Sequence, residues 1–353
     1  MKYNAKILIC YNSPVSIFPI YNGKPARKEV SSNDLSETAF SREIKNIKIA
    51  LEEHFSDVKT AAINRDIIRT INLIKKHSPD IIFNCVESVE GISTFEYCMA
   101  GIYPLLDLQY TGNIPSCLGN CLNKEFTKNI LRSTGINTPD SQIVRANEKF
   151  SEKNFRLRYP VILKLLKEDA SIGVSEFSVV NDFKGLRRQF NFLIRTYRQD
   201  VIIEEYIDGR ELNCAILGQT PLPVSEIKFS GLPADLPKIV TYDGKWMDGS
   251  IYYNNTVPKC PAKLSKNLKQ KVEETALSAF NAMNCRDYAR VDLRVNKKGI
   301  PFVIEVNPNP DISRDSGFAR AAEAAGISYS ELLKTITEFP LFRKQNDSKV
   351  KAG

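Results

Sequence analysis

Two short β-type runs, residues 289–295 and 299–306, are joined through the turn Asn296-Lys297-Lys298-Gly299. Each carries oxygen-bearing side chains: Asp292 in the first run, then Glu305 and Asn307 at the end of the second. Side chains two apart on a strand share a face, so Glu305 and Asn307 point together. Paired as a hairpin, the first run can turn Asp292 toward them. Two carboxylates and an amide oxygen, with no His or Cys nearby, suit Mg²⁺, a hard cation that completes its shell with water and substrate phosphates; Mn²⁺ fits the same oxygen set. Such a site most often serves phosphate-bound metal, so ATP is the expected ligand.

The 353 residues allow two or three domains, and an apolar fraction of 42% supports a sizeable core. No stretch approaches the length of a membrane span. The opening run through Ile7-Leu8-Ile9-Cys10 reads as a core strand and not as a secretory leader. The eight cysteines include no CxxC, and only Cys117 and Cys121 lie close in the chain. With two histidines in all, no zinc site is expected and the cysteines read as small hydrophobes. Reduced thiols in a cytoplasmic protein follow as the expectation. A net charge of +8 (49 basic minus 41 acidic residues) accommodates anionic substrates. No dense basic run with interleaved aromatics argues for nucleic acid.

Over the first hundred or so residues, strand and helix patterns alternate: strands at 6–11, 58–63 and 80–84, and helices at 38–55, 67–76 and 94–100, the last ending near Gly101. That order predicts a doubly wound parallel sheet. Further on, strands are expected at 160–166, 178–180, 201–206, 212–218 and 224–228, with helices at 183–197 and 265–283. The strand ending in Lys164 runs into the small-residue loop 168–175, where backbone N–H groups could approach phosphate and Ser171 is a nucleotide-binding candidate. The boundaries expected are 1–112 for the N-terminal domain, 113–200 for a central subdomain, 201–345 for a C-terminal subdomain and 346–353 for a polar, frayed tail.

The string Arg290-Val291-Asp292, followed by Glu305-Val306-Asn307-Pro308, resembles the metal-binding end of the ATP-grasp ligases, particularly the D-alanine–D-alanine ligase branch. Tyr110-Thr111-Gly112, Asn123-Lys124 and Gly135-Ile136-Asn137-Thr138-Pro139 follow that branch's order too. The resemblance covers nearly the whole chain. It implies an α/β ATP-grasp fold behind an N-terminal Rossmann-like domain, and a carboxylate–amine ligase that works through an acyl phosphate and releases ADP. It also implies Asp292, Glu305 and Asn307 as metal ligands and Arg290 on the reacting phosphoryl group. Lys124, Lys164 and Lys245 would meet phosphates, the last from a mobile loop. The backbone of Glu204, Glu205, Tyr206 and Ile207 would read the adenine edge, Glu211 the ribose, and Ser316 the acceptor's carboxylate. Homodimers are frequent in the branch.

The pattern breaks on the amino-acid side. Ala170 stands where the ligases carry a serine, and Trp246 where they carry tyrosine or phenylalanine. The Gly-rich segment with its Glu after the first strand is Asn12-Ser13-Pro14 here, and the His-Gly pair after the third is Val86-Glu87. The loop after the metal ligands reads Asn309-Pro310-Asp311-Ile312-Ser313-Arg314 instead of Thr-Ser-Pro-Gly-Met-Thr. D-Alanine is therefore not the expected substrate, and Glu87, Glu90, Arg314 and Asp315 are candidate replacement contacts. The alternatives are a D-alanine–D-alanine ligase of cell-wall synthesis and a regulator that binds nucleotide without catalysis. The intact metal-ligand set speaks against the second, and the absence of any GxGxxG against a nicotinamide dehydrogenase.

Overall fold

The computed structural model describes the backbone of residues 2–25, 35–148 and 150–351. Strands β1 (Tyr3–Asn12), β2 (Phe55–Ile63), β3 (Ile81–Cys85) and β4 (Gln109–Tyr110) form a parallel sheet in the order β2-β1-β3-β4. The crossovers carry α1 (Leu35–Glu52), α2 (Ile67–His77) and α3 (Phe95–Leu105). Ile7 and Ile9 face one apolar core while Leu8 and Cys10 face another, as the alternation of a strand covered on both sides requires. The helix expected to stop near Gly101 instead continues to Leu105. Met99, Ala100 and Tyr103 are buried against the sheet, and that packing outweighs the glycine's weak helix propensity.

Helices α4 (Pro115–Leu122) and α5 (Lys124–Ser133) lead into an antiparallel sheet of β5 (Ser141–Val144), β6 (Val161–Leu165), β7 (Val179–Val180) and β8 (Val201–Glu205), in the order β5-β8-β6-β7. Its α6 (Phe183–Tyr197) is capped by Asp182, whose carboxylate accepts from the Gly185 N–H, and it buries Leu186, Phe190 and Leu193.

The third sheet contains β9 (Gly209–Leu217), β10 (Thr220–Pro221), β11 (Ser225–Lys228), β12 (Val257–Lys259), β13 (Tyr288–Asn296) and β14 (Pro301–Asn307). Between β11 and β12 lie two short helices, α7 (Tyr242–Trp246) and α8 (Ile251–Asn255). The segment expected as a loop around Lys245 is thus helical, started by Thr241, whose hydroxyl accepts from the Gly244 N–H. Helix α9 (Lys266–Ala282) covers one face through Val272, Ala276 and Phe280. Two more helices, α10 (Gly317–Ala324) and α11 (Tyr329–Lys351), bury Phe318, Leu332, Leu333 and Ile336 in the core that holds Ile7 and Ile9. The tail expected to fray is helical through Lys351, and residues 352–353 lie outside the described residues.

Candidate active site

Strands β13 and β14 pair antiparallel, with Asp292 opposite Glu305 and Arg290 opposite Asn307. A register shift after Asp292 pairs Leu293 with Val303, an irregularity beside the Asp292–Glu305 pair. Alternation brings Arg290 and Asp292 onto one face, where the guanidinium grips the carboxylate through Nε–Oδ1 at 2.7 Å and Nη2–Oδ2 at 2.9 Å. Asn213, opposite Asp292 on β9, donates to the same Oδ1 at 2.7 Å. Burial disfavours both charges, yet the pairing outweighs it: Asp292 lies below the usual carboxylate range and Arg290 above the ordinary guanidinium value. Glu305 meets Lys124 Nζ at 3.8 Å, and Asn307 Oδ1 accepts from the Asn309 N–H at 3.1 Å.

Lys124 opens α5, where Asn123 caps the helix by accepting from the Glu125 N–H. Its ammonium donates to the backbone carbonyl of Glu168, so one side chain joins the small-residue loop to the hairpin. Glu204, with 1% of its side chain exposed, sits between Lys128 Nζ at 2.9 Å and Lys164 Nζ at 2.8 Å. Burial alone would raise its pKa, but the two ammonium groups hold it down at about 2. Burial brings Lys128 down to about 8 despite Glu204, while Glu204 keeps Lys164 above its ordinary value. The loop itself places Ala170, Ser171 and Gly173 in left-handed backbone, and Ser171 Oγ donates to the Val240 carbonyl at 3.1 Å.

The α7 segment closes on that loop. Trp246 Nε1 donates to the Ala170 carbonyl at 3.1 Å, and the Tyr242 N–H to the Val174 carbonyl at 3.1 Å. Lys245 lies within the field of Arg290, Glu305, Asp292 and Asp169, and burial, then Arg290, depresses its pKa. The segment after β1 joins from the other side as a strap. Tyr21 O accepts from the Gly173 N–H at 2.7 Å, Ser175 Oγ donates to the Gly23 carbonyl at 3.1 Å, and Lys24 pairs with Asp243 at 2.6 Å.

At the connection from β8 to β9, the Glu205 N–H donates to Asp140 O and the Tyr206 N–H to Pro160 O, each at 2.9 Å. Those two amides are therefore already used within the protein. Glu205's carboxylate pairs with Arg158 at 3.2 Å, and Ile207 is half-buried. Glu211 meets Arg294 Nη1 at 2.8 Å, and burial raises its pKa in spite of that cation. Arg294 also lies over the Tyr206 ring, 4.7 Å from its centroid. Ser316 caps α10, its Oγ accepting from the Ala319 N–H at 3.1 Å.

On the amino-acid side, Asn12 is committed to the fold: its Oδ1 accepts from the Glu87 N–H at 3.0 Å and its Nδ2 donates to Ser88 at 3.3 Å. Asn309 Nδ2 donates to buried Glu96 at 2.9 Å, and burial pushes that carboxyl well above its usual range. Glu87 is half-buried, Glu90, Arg314 and Asp315 are exposed, and the Arg314 guanidinium lies over the Tyr329 ring at 5.2 Å.

Lys128, Asn213 and Arg294 were absent from the residues picked by sequence. Two of them carried a signal: Lys128 is one helical turn from Lys124, and Arg294 continues the alternating face of Arg290 and Asp292. Asn213 carried none, because its partner is chosen by the pairing of β9 with β13.

Residues 130–338 match the family described as D-ala D-ala ligase C-terminus. The chain is 33% identical over 258 residues to the uncharacterized protein y4sG of Sinorhizobium fredii, covering 73% of this chain and 74% of that one. It is 34% identical over 238 residues to a D-alanine–D-alanine ligase of Nitrosomonas eutropha, covering 67% and 73% of the two. The fold superposes on the crystal structure of the D-alanine–D-alanine ligase from Bacillus anthracis complexed with ATP with a TM-score of 0.73, at 23% identity, over 97% of this chain and 100% of that one. Family match, relatives and fold agree: the chain belongs to the D-alanine–D-alanine ligase family, the ADP-forming carbon–nitrogen ligases of ATP-grasp fold.

Proposed function

We propose that this ATP-dependent ligase joins a carboxylate to an amine other than a pair of D-alanines, through an acyl phosphate. The observation that carries the phosphoryl half is the hairpin register that sets Asp292 against Glu305, with Arg290 and Lys124 beside them. Asp292, Glu305 and Asn307 present only oxygen donors, which fits Mg²⁺, with Mn²⁺ as a substitute. Bound there, the metal would draw negative charge from the phosphate oxygens. Arg290, Lys124 and Lys245 supply fixed positive charge toward the same place, and Lys164 lines it. The backbone of Glu204 and Ile207, with Tyr206 and Glu205, would frame adenine, and Glu211 the ribose. The substrate carboxylate attacks the γ-phosphorus and ADP departs; the amine then displaces phosphate from the acyl carbon, leaving an amide. Ser316 would orient the acceptor.

The donor half supports a different substrate. Where the family places a Glu after the first strand, Asn12 here holds the β3 loop, and the chain then runs away as the strap. A site built to hydrogen-bond one substrate rejects an analogue by orders of magnitude when the matching groups are gone. D-Alanine itself remains the comparison arm, favoured by the 34% identity to the Nitrosomonas ligase. A cytoplasmic setting fits the described residues, which contain no helix long and apolar enough to cross a membrane. A homodimer rests on the family alone and is read by sedimentation.

The test is ADP release with ATP, Mg²⁺ and pools of amino acids, dipeptides and small carboxylates, beside the Asp292→Ala and Glu305→Ala variants. Pool-dependent release lost in both variants supports the ligase, and a response to D-alanine alone sinks the altered-substrate reading. Nucleotide binding with no turnover on any pool would favour a non-catalytic protein.

A further inference from the structure

Cys117, Cys121 and Cys285 converge on one point in the core between α4, β13 and α9. Their sulfur atoms all lie within 4.8 Å of one another, and Cys117 Sγ is 3.5 Å from Cys285 Sγ. Cys117 and Cys121 are one turn apart on α4 and so share a face, while Cys285 arrives at the entry to β13. No CxxC or histidine pair marks this cluster in the sequence, because the third sulfur comes from far along the chain.

Three sulfurs at these separations match the edges of a thiolate coordination shell. A metal–sulfur bond of about 2.3 Å puts the sulfurs of a tetrahedral or trigonal site about 3.8–4.0 Å apart. The Asn113 Oδ1 lies 3.5 Å from Cys117 Sγ, a neutral oxygen at the rim. All three cysteines are buried, and none is in a disulfide.

We propose that Cys117, Cys121 and Cys285 form a buried trithiolate site for one thiophilic d¹⁰ metal ion of the Zn²⁺ or Cu⁺ class. The three thiol protons leave for solvent as the metal–sulfur bonds form, and no electron is transferred. The ion staples α4, which ends one residue before Asn123, the cap that positions Lys124, to the strand that carries Arg290 and Asp292. Asn113 ties the same corner to the ligand loop, donating to the Pro308 carbonyl at 2.6 Å. The site is separate from the phosphoryl site, and soft sulfur donors select a different ion from the oxygen set there.

Reduced, metal-stripped full-length protein is incubated with Cd²⁺ and followed by thiolate-to-metal charge-transfer absorbance. Elemental analysis of protein purified without chelator distinguishes zinc from copper. The expected result is a band that saturates at one equivalent, is lost in Cys117→Ser and Cys285→Ser, and persists in Asp292→Ala and in Cys98→Ser at an exposed position. Unfolding of the wild type should shift to higher temperature with Cd²⁺, and that of Cys285→Ser should not. A band that survives Cys285→Ser, no band at one equivalent, or an intact mass two hydrogens short from a Cys117–Cys285 disulfide would each overturn the assignment.

Discussion

Arg290 and Asp292, two residues apart on β13, are locked together by paired hydrogen bonds of 2.7 Å and 2.9 Å. The clasp holds the carboxylate toward Glu305 across the hairpin and keeps the guanidinium beside the same space. A strand alone would leave both side chains several rotamers; the clasp selects one arrangement before any phosphate arrives, which is what fixed electrostatic stabilisation requires.

Asp292→Asn should lower ADP release by at least about 100-fold, since it removes a carboxylate proposed to hold the metal and the partner of Arg290. It also strands a largely buried guanidinium, so unfolding free energy should fall by about 3 kcal/mol. Coupled-assay kinetics and urea unfolding read the two effects separately. Turnover within a few-fold of wild type would exclude the hairpin from phosphoryl transfer.

Glu204 is a carboxylate whose pKa is about 2 in the fold against an ordinary 4.5, so its pairing with Lys128 and Lys164 stabilises the native state above about pH 4.5. That contribution is lost as pH falls toward about 2. Denaturant midpoints measured down the acid limb should drop more steeply for wild type than for Glu204→Gln. Parallel acid limbs would show that the triad contributes nothing to acid stability.

Trp246 Nε1 ties α7 to the Ala170 carbonyl. Trp246→Phe keeps an aromatic side chain but loses the indole N–H and with it one neutral hydrogen bond of about 1 kcal/mol, so KM for ATP should rise about fivefold with the melting temperature nearly unchanged. An unchanged KM would mean that the contact does not hold the loop over the nucleotide.

Gly23 sits at φ +71°, and a Cβ there would lie 2.1 Å from the Gly173 carbonyl oxygen. Gly23→Ala must push the strap off the small-residue loop. Turnover should fall more than about tenfold, as expected when a positioning element is displaced, and limited proteolysis should newly cut within residues 13–25. Wild-type turnover with a cleaved strap would separate the strap from catalysis.

Much of the local order was legible. The β13–β14 hairpin, the helix at Phe183–Tyr197 and the parallel strands of the first sheet follow from periodicities of 2 and 3.6 that need no tertiary knowledge. Element ends were less legible. Gly101 read as a stop because a lone glycine is a poor helix former, but Tyr103 beyond it had a core to enter. Lys245 read as a loop lysine because Asp243-Gly244 is turn-like, and the Thr241 cap made a helix of it.

The chain by itself determined which side chains stand together on a strand, and so grouped Glu305 with Asn307 and set Asp292 against them, while Lys124 entered through the family resemblance. Alternation and helical pitch are local, and a few residues suffice to set them. Only the tertiary structure decided the partners brought from far away: Glu204 between Lys128 and Lys164, Asn213 on Asp292, the strap on the Gly173 loop, and Cys285 against Cys117 and Cys121. Those meetings depend on the register of β9 with β13 and β8 with β6, and on which helix covers which sheet. Register and docking are chosen by burial summed over whole elements, so no short stretch of sequence encodes them.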